Sequence, residues 1–246
     1  MPLHKQARRD RIVALIPARG GSTGIPRKNI IEFCGHPLIA WTIATARRAK
    51  RIDGVYVSTD DGEIGSVARR YGAAVIARPP ELSGDSASSE SALLHAIDTI
   101  VSNEGADPRT VVFLQATSPL RETSELDEAL DLFDREEFDS LFSGSQAEDL
   151  HLWKQDRKEL ASLNYDYRNR QRRQDMDDTS MVWVETGSFY VTRTVLLRAS
   201  GNRLGGRIGI YKVPFWKSFE VDSQGGLELC RTLMRLYQLD QRAPLE

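Results

Sequence analysis

Five consecutive apolar residues, Ile12-Val13-Ala14-Leu15-Ile16, run into Pro17-Ala18-Arg19-Gly20-Gly21-Ser22-Thr23-Gly24-Ile25-Pro26-Arg27-Lys28-Asn29. A short apolar run closed by glycines marks a strand buried on both faces of a parallel sheet. A sheet of that kind needs helical crossovers on its faces, which restricts the chain to α/β architectures. The loop that follows carries three glycines, two hydroxyls and three cationic side chains. Glycine lets backbone N–H groups close on an anion without a Cβ in the way, and Arg and Lys supply charge to phosphate oxygens. The stretch therefore reads as a cradle for a nucleotide triphosphate, or as an ordinary strand-to-helix connection with incidental charge. It matches neither common phosphate fingerprint: Gly20 to Gly24 is one residue short of a P-loop and is followed by Ile25, and Gly-x-Gly-x-x-Gly is absent.

The rest of the chain up to residue 144 keeps a strand–helix rhythm. Helical spacing at 37–46, with Pro37 at a first-helical position, gives way to a strand at 55–60. A short amphipathic helix over 63–71 closes on Gly72, and 73–76 is a third strand. Turn formers at 82–90 lead to a helix over 91–100, then a strand at 111–114, a helix capped by Thr123 or Ser124, and a strand at 140–144. This alternation predicts an α/β fold with a mostly parallel sheet and helices on both faces. Ligands in such sheets bind beyond the carboxyl ends of the strands. The polar tails 18–29, 58–61 and 115–121 all follow strands and should meet on one rim.

Residues 145–180 break the rhythm. Arg168, Arg170, Arg172 and Arg173 crowd an almost wholly polar segment, which reads as a solvated excursion or as an insertion that covers the site or grips a second subunit. Strand patterns return at 181–185, 187–191 and 208–213, and a final helix spans 227–239. Residues 218–223 alternate like a strand, which would point Glu220 and Asp222 to the same side. The 246 residues suit one domain over 1–246, with 145–180 as its insertion.

A net charge of −2 provides no global attraction to nucleic acid or to anionic membrane, so an anion site must be local. Cys34 and Cys230 match no metal spacing and read as reduced thiols. Residues 1–11 lack an apolar signal core and no run reaches transmembrane length, so the expected location is cytoplasmic, with no membrane partner.

Two acids at i and i+2 can hold Mg²⁺ through oxygen, which makes Glu220 and Asp222 metal candidates; the alternative is a pair facing solvent. Ser86, Ser88 and Ser89 could donate to phosphate or ribose, or could serve a turn. Arg78 could face a base or solvent. The four histidines share no spacing that assembles a zinc site or a nucleophilic triad.

The stretch from Ile16 to Asn29 resembles the N-terminal signature of the acylneuraminate cytidylyltransferases. Val57-Ser58-Thr59-Asp60-Asp61, Leu114-Gln115-Ala116-Thr117-Ser118-Pro119-Leu120-Arg121 and Phe219-Glu220-Val221-Asp222 are similar to three further blocks in the same order. Arg173-Gln174-Asp175 and Glu185-Thr186-Gly187-Ser188-Phe189-Tyr190 resemble two weaker ones. The resemblance implies a nucleotide-diphospho-sugar transferase fold and a homodimer whose excursion contributes to the partner's site. It implies transfer of CMP from CTP to a nine-carbon 2-keto acid sugar with Mg²⁺, or to a related legionaminic, pseudaminic, deaminated or eight-carbon acid.

By the same resemblance, Arg19, Gly20, Ser22, Thr23, Asn29, Arg78, Ser86 and Ser89 bind the nucleotide, and Gln115, Thr117, Ser118, Arg173 and Tyr190 bind the sugar. Asp222 with Glu220 holds the metal, while Arg19, Lys28 and Asp222 carry the chemistry. Two departures stand out. The family usually has lysine where this chain has Thr23, and often aspartate where it has Glu220. Loss of the lysine charge leaves three possibilities: replacement by Arg27 or Lys28, a larger share for the metal, or a slow or inactive CTP-binding relative.

Overall fold

The computed structural model describes residues 11–21, 24–105, 107–147, 150–172, 175 and 181–245. Its centre is a seven-stranded sheet ordered β11-β7-β10-β6-β1-β4-β5. The strands are β1 (Ile12–Pro17), β4 (Gly54–Thr59), β5 (Ala74–Ala77), β6 (Thr110–Leu114), β7 (Ser140–Gln146), β10 (Trp183–Arg193) and β11 (Ile208–Lys212). Two small hairpins, β2 (Glu32–Phe33) with β3 (His36–Pro37) and β8 (Trp153–Asp156) with β9 (Glu159–Ser162), lie outside that sheet.

Helices cover both faces because β1 is apolar at every position. Ala14 and Ile16 pack in one cluster with α1 (Leu38–Arg48), α2 (Gly62–Arg70) and α4 (Thr123–Arg135), through residues such as Ile39, Ile64 and Phe133. Val13 and Leu15 point the other way, against Leu93, Ala96 and Ile97 of α3 (Ser89–Glu104) and Leu197 of α5 (Thr194–Ser200). A third cluster joins the β2–β3 hairpin to α6 (Gln224–Leu236) through Phe33, Trp41, Leu227 and Cys230, with Val221 buried among them.

Strand β1 pairs parallel with β4 and β6, β4 with β5, and β7 with β11. The exception is β10, antiparallel to both β6 and β7. The stretches expected as two strands at 181–185 and 187–191 form this one strand, whose register shifts between Glu185 and Tyr190. Gly187 sits in that irregularity at φ +70°, where any Cβ would lie 2.1 Å from Glu220 Oε1. Side-chain-bearing residues are strained there, and glycine also permits the close approach.

Two further expectations are corrected. Residues 218–223 are not a strand: Phe215–Ser218 is a 3₁₀ turn, and the following segment is held to the sheet side by the Val221 amide donating to the Thr117 carbonyl at 2.8 Å. Glu220 and Asp222 therefore do not share a strand face. The α4 N-cap is Glu122, not Thr123 or Ser124, and it forms a capping box with Glu125.

Candidate active site

The carboxyl ends of β1, β4, β5 and β6 deliver the cradle loop, Asp60, the segment starting at Arg78, and residues 115–121 to one rim, as the alternation requires. There Arg19, Lys28, Asn29, Arg78, Ser88, Ser89, Gln115 and Thr117 line a cavity of about 310 Å³ whose floor includes Phe113.

The loop after β1 is folded back on its neighbours. Asn29 is buried and donates from Nδ2 to the Arg19 carbonyl at 3.0 Å, which fixes the loop's two ends together. Arg19 Nη1 reaches Gly84 O at 2.9 Å and Asp85 Oδ1 at 2.9 Å. The Gly20 amide donates to Asp60 Oδ1 at 3.0 Å. Lys28 Nζ lies 2.7 Å from Asp222 Oδ1. Gly24 is needed because a Cβ would stand 2.5 Å from the Asp222 carbonyl oxygen, so the loop and the Asp222 segment touch backbone to side-chain position. Ser22 and Thr23 lie outside the described residues, as does Arg173.

Arg78 is buried. Its Nε donates to Ser58 Oγ at 3.1 Å and its Nη2 to the Ser58 carbonyl, so the guanidinium is anchored at the end of β4. Burial pulls its pKa below the usual arginine value, against the opposing field of Asp60. Ser88 and Ser89 line the cavity, and Ser88 also caps α3 by accepting from the Ser91 amide at 3.1 Å. Ser86 is exposed and is not part of the lining.

Gln115, Thr117 and Ser118 lie where β6 ends. Thr117 Oγ1 donates to Gln115 Oε1 at 3.4 Å and reaches Glu220 Oε2 at 3.3 Å, and Ser118 Oγ donates to Glu220 Oε1 at 3.0 Å. Both oxygens of Glu220 are thus tied to this block. Burial raises the Glu220 pKa above the usual carboxylate value, opposed by the Ser118 hydrogen bond and reinforced by the charge of Asp222. Tyr190 does not line the cavity: its ring stacks on Phe113 at 5.4 Å and its hydroxyl donates to Glu185. Burial and Glu185 both raise its pKa.

Arg121 was legible only as the last residue of a block, yet it holds the rim together. It is buried, its charge favoured at a distance by Glu125 and Glu220. Its Nε donates to Ser188 Oγ at 3.0 Å, and its Nη2 donates to the carbonyls of Gln115 (3.2 Å) and Ser188. Burial lowers its pKa to about 10. Asp60 is expected on the rim only as part of a polar tail, and the pairing of Asp85 with Arg19 is not foreseeable, because an acid beside a phosphate cradle looks like surface charge.

No described group of three or more His, Cys, Asp or Glu forms a metal cluster. Asp222 still fits a hard cation. Its carboxylate is 64% exposed beside the cradle, a negative charge that a divalent ion held there would offset.

This geometry now meets known proteins. Residues 13–196 match the family described as Cytidylyltransferase. The chain belongs to the cytidylyltransferase family. It is 39% identical over 218 residues to an N-acylneuraminate cytidylyltransferase of Oncorhynchus mykiss, which covers 86% of this chain and 47% of that protein. It is 37% identical over 224 residues to N-acylneuraminate cytidylyltransferase A of Danio rerio, covering 89% and 49%. A pseudaminic acid cytidylyltransferase of Campylobacter jejuni is 42% identical over 137 residues, 55% of this chain and 59% of that protein. The chain spans about half the length of the vertebrate relatives it matches.

Among solved structures, a CMP:2-keto-3-deoxy-manno-octonic acid synthetase complexed with CTP superposes with TM-score 0.64 at 18% identity, covering 93% of this chain and all of that one. A 4-diphosphocytidyl-2C-methyl-D-erythritol synthase reaches 0.67 at 12% identity, covering 92% and 99%. At such identities the likeness establishes the nucleotidyltransferase fold of this cytidylyltransferase-family chain.

Proposed function

We propose that this chain, as one nucleotidyltransferase domain, transfers CMP from CTP to an acidic nine-carbon 2-keto sugar and releases pyrophosphate. The observation that carries the reading is the meeting, on one rim, of a cationic loop with a block of neutral hydrogen-bonding groups joined through Glu220 to Asp222. The sugar's anomeric hydroxyl oxygen bonds to the α-phosphorus, the bond from that phosphorus to the bridging oxygen breaks, and the hydroxyl proton passes to solvent or to a carboxylate. Little covalent work falls to the protein, so positioning and charge neutralisation dominate.

Arg19, Gly20, Asn29 and Lys28 take the triphosphate, and Arg78, Ser88 and Ser89 meet the nucleoside. Gln115, Thr117 and Ser118 orient the sugar. Asp222, helped by Glu220, would hold Mg²⁺, which when bound neutralises charge on the phosphates and favours the ionised acceptor hydroxyl. The 42% identity to a pseudaminic acid enzyme keeps other acid sugars as acceptors within the same reading.

The β8–β9 hairpin supports a homodimer. Its strand residues are exposed or nearly so, Trp153 packs on Tyr165 (5.9 Å) and Tyr167 (5.3 Å), and Leu152, Leu160 and Leu163 face outward. A two-stranded hairpin with that much apolar surface gains stability against a second copy. Free Cys34 and Cys230 fit a reducing cytoplasmic setting, and no described helix is long and apolar enough to cross a membrane.

The test is pyrophosphate release from CTP and Mg²⁺ with sialic, legionaminic, pseudaminic, deaminated and eight-carbon acids. Release with one or more of the nine-carbon acids is expected. A protein that binds CTP but releases none would be a non-catalytic relative.

A further inference from the structure

Each cation of the loop after β1 is paired with an acid. Arg19 meets Asp85 at 2.9 Å, Arg27 meets Glu63 at 2.7 Å and Asp61 at 3.5 Å, and Lys28 meets Asp222 at 2.7 Å. The three differ in shelter. The cationic side chains are 30% exposed at Arg19, 51% at Arg27 and 18% at Lys28, so Lys28 is the most sheltered, while Asp222 at 64% is less exposed than Asp85 at 81%. Exposed pairs contribute little, so Arg19 and Arg27 exchange an acid for phosphate at small cost.

Lys28 is different because its partner has two claims on it. The Asp222 carboxylate that holds the ammonium through Oδ1 is the same negative charge that a cation would draw on, and the close approach at Gly24 keeps the Asp222 segment against the loop. Lys28 cannot serve both the carboxylate and a phosphate at full strength.

Building on the function proposed above, we infer that Asp222 restrains Lys28 until a divalent cation takes the carboxylate. Metal and nucleotide then load with positive linkage. The cation neutralises Asp222 and frees the ammonium for triphosphate oxygens; a triphosphate that draws Lys28 away frees Asp222 for the cation. Linkage makes the two effects equal in size. Asp222 is thus an internal stand-in for phosphate as well as a metal ligand, and it disfavours metal-free nucleotide.

Two measurements test this. Calorimetry of CTP binding in EDTA compares wild type with Asp222→Asn and with Glu228→Gln, an equal charge change on α6 at a residue paired with Arg231. Asp222→Asn should bind metal-free CTP about two- to five-fold more tightly, the range of one partly exposed ion pair, while Glu228→Gln matches wild type. Equal or weaker binding by Asp222→Asn, or the same gain in Glu228→Gln, overturns the inference.

The second measurement uses no nucleotide. NMR of ¹³C-methylated lysines, with the Lys28 signal assigned through Lys28→Arg, follows addition of Mg²⁺ alone. The Lys28 signal should move toward its position in Asp222→Asn; a signal that stays fixed overturns the inference. A protein that binds no CTP even with Mg²⁺ defeats the proposed function instead, and the lysine signal still decides the linkage.

Discussion

Arg121 donates from Nε to the Ser188 hydroxyl at 3.0 Å, and this bond ties the end of β6 to the irregular turn of β10. The same guanidinium holds the carbonyls of Gln115 and Ser188, so the acceptor side of the rim is built on one buried cation. Removing it strands buried acceptors, which costs more than the bonds themselves. Arg121→Met should lower unfolding free energy by about 2–4 kcal/mol, and Arg121→Lys by roughly half as much, since an ammonium cannot span all the acceptors. Urea unfolding midpoints at unchanged slope measure both. In Arg121→Lys the sugar KM should rise more than the CTP KM, because Gln115 shifts while the cradle does not.

Glu220 sets a pH dependence of stability. Its folded pKa is raised, first by burial and then by Asp222, so the folded state binds this proton more tightly than the unfolded chain does. The associated stabilisation is fully present below the ordinary value of 4.5 and is lost as pH rises through the raised value. Glu220→Gln keeps the shape and removes the buried charge. The variant should be more stable than wild type at pH 7, by about 1 kcal/mol, with a flatter stability profile between pH 4 and pH 7. Under the proposed function, in which Glu220 helps Asp222 hold Mg²⁺, its turnover should fall as well. Thermal unfolding across that range checks the first part, and a variant less stable at pH 7 would show that Glu220 is stabilised as an anion.

The periodic parts of the chain could be read before folding was known. Ile12–Pro17 had to be a doubly buried strand, and the alternation through residue 144 placed the cradle loop, Asp60 and Gln115 on one rim. The antiparallel insertion of β10 was hidden because the residue types along a strand do not record which way its neighbours run. Residues 218–223 alternated for another reason. Val221 is buried in the α6 cluster while Glu220 and Asp222 turn to Ser118 and Lys28, and two-residue alternation alone does not require a ladder. The long-range partners of Arg121 and Asp85 carry no local signal at all.

The β8–β9 hairpin gives a prediction about assembly. Leu160 and Leu163 are about three-fifths exposed, at 63% and 60%, with nothing in the described chain covering them. Replacing both by aspartate places charge on a surface that would otherwise be buried between copies, which costs several kcal/mol per unpaired buried ion. The double variant should elute as a monomer in size-exclusion chromatography with light scattering while wild type elutes as a dimer. Its unfolding temperature at low protein concentration should stay near that of the wild-type monomer, because the sheet core is remote from the hairpin.

The loop after β1 poses the sharpest question, since Thr23 stands where the resemblance to the acylneuraminate cytidylyltransferases implies a lysine. Lys28 is the natural substitute: its ammonium already lies at the junction between the cradle and Asp222, 2.7 Å from that carboxylate. If it carries the missing charge, Lys28→Met should lower kcat by about 10²–10³, the scale set by losing one preorganised charge-stabilising donor. Thr23→Lys should then raise kcat of wild type only modestly but should rescue much of the Lys28→Met loss. Pyrophosphate release by the two single variants and the double variant measures the coupling directly. Independent, additive effects would mean that Lys28 and position 23 serve different phosphates. A large gain from Thr23→Lys alone would mean that Lys28 never replaced the lysine and that the threonine keeps the enzyme slow.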